Sequence, residues 1–72
     1  MSRSTKYFIL LERHNHQWVI AFGDYDKDVV TDEKADLIDS GAKAKELKII
    51  ASHNGSQGAV NAAVTAANAS LN

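Results

Sequence analysis

Hydrophobic and polar positions alternate, then recur at wider spacing, and those two rhythms divide the chain. Lys6 to Glu12 reads KYFILLE, a bulky apolar run that ends in polar Arg13, His14, Asn15 and His16, as a strand entering a turn does. Gln17 to Gly23 follows as QWVIAFG. With a period of two, Trp18, Ile20 and Phe22 share one face and Val19 and Ala21 the other. The two runs predict a hairpin.

From Asp26 the alternation stops, and Val30, Lys34, Leu37 and Ile38 take helical spacings up to Gly41, giving one apolar stripe. Asp26, Asp28 and Thr31 are all suitable N-caps. After a linker at Ala42 to Lys45, Glu46 to Ser52 (ELKIIAS) predicts a third strand, with Leu47, Ile49 and Ala51 on one face and Ile50 on the other. Asn54 or Ser56 can cap a last helix, and Gln57, three residues after Asn54, resembles a capping box. That helix carries Val60, Ala63, Val64, Ala67 and Leu71 on a continuous stripe.

The order β-β-α-β-α predicts an α+β fold: a three-stranded sheet with both helices packed on one face. A crossover through the first helix sets the third strand beside the first, in sheet order 2-1-3. One domain is expected over residues 1–72, with an ordered core at about 6–71. At 72 residues an unaided core is marginal, and the absence of cysteine removes disulfides and thiolate metal sites. The polar start and the short apolar run after it predict neither a signal peptide nor a membrane span, and a cytoplasmic setting is expected.

If both helices lie on one face, the other is left with large apolar side chains. Taking Phe8, Leu10, Trp18, Ile20 and Phe22 as the inward set strands Tyr7, Ile9, Leu11, Val19 and Ile50 outside. Apolar patches of that size mark association surfaces, so this face predicts a homodimer, with Trp18 and Tyr7 as anchors.

Charge changes the picture locally. Eight Lys and Arg nearly balance nine Asp and Glu, so no global field draws in nucleic acid or an anionic membrane. Yet Asp24 to Asp39 holds seven acids against two lysines. Acids early in the helix meet its positive dipole end, whereas Asp36 and Asp39 come too late for that. Asp24, Tyr25, Asp26, Asp32 and Asp36 are therefore expected to meet a protein partner.

Other chemistry finds little support. Asp24, Asp26 and Asp28 have the acid spacing that opens a calcium loop, but Val29 stands where that loop needs glycine and Ala35 where it needs glutamate. His14 and His16 flank a turn residue with no third certain ligand. Asn54 to Gly58 leads into a helix but lacks a phosphate-binding lysine, and Ser52 beside His53 is adjacency without a nucleophile motif. No cofactor, metal or enzymatic activity is expected. A different class of function, weak single-strand nucleic-acid binding, would stack bases on Tyr7, Phe8, Trp18 or Phe22 and contact phosphate through Arg13, Lys43, Lys45 and Lys48.

The segments FGDYDKDVV (Phe22 to Val30) and KAKELKII (Lys43 to Ile50) resemble small uncharacterised proteins of tailed bacteriophages and prophages, as does the alanine-rich amphipathic end. The resemblance implies a bacterial host cytoplasm and an accessory or host-modulating role exercised by binding, and it carries no activity or functional residues.

Overall fold

The computed structural model describes residues 6–70, so Leu71, the last position of the expected apolar stripe, lies outside the described residues. Strands β1 (Tyr7–His14) and β2 (Gln17–Asp24) lead to helix α1 (Lys27–Asp39), a 3-10 turn at Ala44–Glu46, strand β3 (Leu47–Ser52) and helix α2 (Gln57–Ala69). The α+β class, the element order and the sheet order β2-β1-β3 are those expected. Both neighbours of β1 run antiparallel to it. The connection through α1 therefore joins two mutually parallel strands with β1 between them.

The hairpin turns on Asn15 and His16, both at positive φ (51° and 66°), which is the type I′ geometry whose twist matches that of the flanking strands. Opposite positions then alternate in hydrogen bonding. His14 and Gln17, beside the turn, are a bonded pair, and the next pair, Arg13 and Trp18, turn their backbone groups away from each other.

The helices do not share a face. Ile9, Leu11 and Trp18 pack with Val60, Ala67, Ala63 and Val64 of α2, whereas Leu10 and Leu47 pack with Val30 and Leu37 of α1. Successive residues of a strand point to opposite sides, so α1 and α2 cover opposite faces and make three layers. The cause is β1 itself. Ile9, Leu10 and Leu11 are consecutive and each is 0% exposed, which requires apolar cover on both sides.

A second correction concerns β2. Leu11 stands opposite Ile20 but Leu10 opposite Phe22, leaving Ala21 as a bulge. The extra residue resets the alternation. Trp18 and Phe22, predicted to share a face, pack into the α2 and α1 layers respectively.

Asp26 caps α1, its carboxylate accepting from Asp28 N–H at 2.9 Å. The far end closes with two reversed bonds, Gly41 N–H to Ile38 C=O at 3.0 Å and Ala42 N–H to Leu37 C=O at 2.9 Å. This is a Schellman ending, with Ala42 and Leu37 packed in the same apolar cluster and Gly41 at φ 116°. At α2, Ser56 is the cap and accepts from Ala59 N–H at 3.3 Å. The expected capping box is not formed, because Gln57 is already the first helical residue and its amide donates to Asn61 at 2.9 Å.

Near its other end α2 closes an edge of the sheet. The outward N–H of Trp18 donates to Asn68 Oδ1 at 2.6 Å, and Asn68 Nδ2 donates to Trp18 C=O at 3.2 Å. A side-chain amide here does what a neighbouring strand's peptide group would do.

Two outcomes follow from these contacts. Gly41→Ala should cost about 1 kcal/mol, a fall in Tm of roughly 4–8 °C for a domain of this size, read by thermal circular dichroism. Asn68→Ala should remove two hydrogen bonds, each worth about 1 kcal/mol, and selectively accelerate amide exchange at Trp18.

Candidate interaction surface

The residues expected to form an exposed apolar face are largely enclosed. Ile9 and Leu11 lie wholly under α2 with Trp18, which is 8% exposed, and Tyr7 is half-buried against the same cluster. The vacant face predicted for self-association is thus the seat of α2. Phe8 and Phe22 are half-buried against the α1 layer, so that among the described residues neither face of the sheet is left open to stack bases. Lys48 holds its ammonium 5.7 Å from the centre of the Trp18 ring, a cation–π distance, so this lysine already has an aromatic partner.

The carboxylates divide into two groups by what they touch. Asp24 accepts from Asp26 N–H at 2.8 Å, and Asp26 in turn accepts from Asp28 N–H. These are successive Asx turns, each bridging two residues, and they account for the calcium-like spacing as a staircase into the helix. Among the described residues no group of three or more His, Cys, Asp or Glu is placed to hold a metal. His14 faces Glu12 at 3.2 Å, while His16 occupies the turn. Ser52 is buried, and its hydroxyl donates to Asn54 C=O at 2.5 Å, a loop-closing contact.

Asp32, Asp36 and Asp39 have no such task. With 3.6 residues per turn, they and Asp28 project from the side of α1 opposite buried Val30, and all four are exposed. Among the described residues none is within ion-pair distance of a cation. Asp28, Asp32 and Asp36 are spaced four apart, where like charges repel. Asp36 and Asp39 also approach the negative end of the helix dipole, and the last turn contains no basic residue. Asp28, in the first turn, meets the positive end of that dipole, but from Asp32 onward the stripe opposes the stability of the helix that carries it.

Val29 is exposed beside the aspartates, and Tyr25, just before α1, is 59% exposed. Tyr25 is held although it is exposed. Its ring meets Tyr7 edge-on, with centroids 4.9 Å apart at 73°, and lies over Gly55, where any Cβ would collide with it. Tyr7 is pressed in the same way onto Gly23, where a Cβ would come within 2.6 Å of the phenol oxygen. Two glycines thus seat a tyrosine pair, a requirement that nothing in the local sequence pattern signals. The surface that α1 presents is Val29, Asp28, Asp32, Asp36 and Asp39; Tyr25, expected to join it, instead rests on Tyr7 and Gly55, on the α2 side of the sheet.

No protein-family model matches the chain, nor does any curated protein or solved structure.

The two groups of acids should separate by mutation. Asp26→Ala should lose about 1 kcal/mol with its cap. Asp32→Asn and Asp36→Asn should each leave stability unchanged or raise it by a few tenths of a kcal/mol, with the gain shrinking at high salt. Urea unfolding of the three variants at two ionic strengths makes the comparison.

Proposed function

We propose that this chain is a non-enzymatic protein-interaction domain that presents the outer face of α1 to a basic surface on a partner protein. The observation that carries the proposal is the aspartate stripe. Asp32, Asp36 and Asp39 are aligned, exposed and unpaired among the described residues, at positions where they work against helix stability. A charge arrangement that costs the fold something and supports nothing within it is explained by a cation outside it. Val29 adds an exposed apolar contact among the acids, and the acids add long-range attraction that accelerates encounter.

An accessory or host-modulating protein of a bacteriophage, as the resemblance implies, fits this reading, because such a protein acts by occupying a surface of another protein. The partner surface would be rich in Arg and Lys.

The test is an NMR titration of the labelled protein with a ten-residue peptide of alternating arginine and alanine. Shift changes should concentrate at Val29, Asp32 and Asp36 and weaken steeply with salt. The Asp32→Asn, Asp36→Asn double variant should reduce affinity several-fold, since each exposed charge contributes up to about 1 kcal/mol. Shifts scattered evenly over the surface, or unaltered in the double variant, would remove the proposal.

A further inference from the structure

The two edges of the sheet are treated differently, and the difference points to how a second molecule attaches. On β2 the edge is interrupted by the bulge at Ala21 and closed at Trp18 by the Asn68 amide. Both devices discourage strand addition. On β3 neither is present: residues Leu47 to Ser52 pair with β1 in unbroken register.

The alternation set by the type I′ turn fixes which backbone groups of β3 face outward. Trp18 turns its groups away from Arg13, so Arg13, Leu11, Ile9 and Tyr7 direct theirs toward β3. Their partners Lys48, Ile50 and Ser52 are used up in that ladder. Leu47, Ile49 and Ala51 therefore point to the open edge. One of these groups is already engaged, because Leu47 N–H closes the 3-10 turn onto Ala44 C=O. Among the described residues no hydrogen bond is made by the outward groups of Ile49 and Ala51.

We propose that this edge is the seam of a symmetric dimer, in which β3 of a second copy lies antiparallel to β3 with Ile50 on the twofold axis. This register follows from counting donors and acceptors. It pairs Ile49 with Ala51 of the second copy, and the reverse, so that both residues use both outward groups. It also makes no demand on the committed N–H of Leu47, whose carbonyl can accept from His53 N–H. A register centred on Ile49 would pair Ala51 with Leu47 and leave the Ala51 carbonyl without a donor.

The side chains agree with the symmetry, which places like against like on the axis. Ile50 meets its own counterpart on the α2 side, Ile49 meets Ala51 on the α1 side, and Lys48 meets Ser52. No like charges are opposed. The antiparallel arrangement also sets Lys43 and Lys45, before β3, toward the end of the second copy that carries Asp24, Asp26 and Asp28. The product is a continuous six-stranded sheet whose outer edges are the two guarded β2 strands. This inference does not depend on the reading of α1, whose acidic face stays open in the dimer.

Because the chain contains no cysteine, single substitutions report on the register directly. Across the axis the Ile50 Cα atoms would be about 4.5 Å apart, within the roughly 4.4–6.8 Å that a disulfide spans. Lys48 and its counterpart would be about 14 Å apart, from a rise of about 3.4 Å per residue and a strand spacing of about 4.8 Å. Under mild oxidation Ile50→Cys should form a covalent dimer in high yield and Lys48→Cys should not. In the unsubstituted protein, which does not depend on the variant folding, the amides of Ile49 and Ala51 should be protected from exchange at high concentration and lose that protection on dilution. Equal cross-linking of the two variants would overturn the register. A monomeric mass by light scattering, with fast exchange at Ile49 and Ala51 at every concentration, would overturn the dimer.

Discussion

The fold depends on the two-sided burial of one strand. Ile9, Leu10 and Leu11 are adjacent in sequence and fully enclosed, and a strand cannot turn neighbouring side chains to the same side. Each face of β1 must therefore be roofed, and α1 and α2 are the helices that do it. In a domain this small, both apolar clusters share that one strand. Material removed from β1 opens two layers at once, whereas a loss from Val60 or Val30 opens only one.

The bulge at Ala21 is the companion of this constraint. A regular β2 would direct Trp18, Ile20 and Phe22 to one helix and leave the other side of the hairpin thinly filled. One inserted residue divides the large aromatics, giving Trp18 to α2 and Phe22 to α1. The tyrosine pair then closes the end of the sheet where β2 and β3 finish, with Gly23 and Gly55 leaving room for the rings. The small stripe of α2 suits a close approach to the sheet. Its alanines bury little area, and Asn68 adds a directional attachment where apolar contact is modest.

Much of this was legible in the sequence. The strands, the helices and Gly41 as a helix terminator follow from periodicity and turn chemistry, which are local properties, and the sheet order follows from the rule for crossover connections. What was not legible depended on choices between faces. The run from Tyr7 to Leu11 says that both sides of a strand are apolar, but it is equally consistent with a helix on each side and with one side left for a partner. A bulge is one residue in a strand of otherwise acceptable alternation, so Ala21 leaves no composition signal. For the candidate interaction surface, the excess of acid was visible, but its division was not. Asp24 and Asp26 are engaged with backbone N–H groups while Asp32 and Asp36 are not, a difference that only folding creates.

Tyr25 sits between the two engaged aspartates, and its seating has an evolutionary consequence. Because its ring rests on Gly55, the loop before α2 and the head of α1 constrain each other across the end of the sheet. Any substitution that adds a side chain at residue 55 displaces the aromatic residue of the opposite loop before it affects its own. Residues 25 and 55, thirty positions apart, should therefore change together in descendants of this chain, so that drift in one loop is recorded in the other.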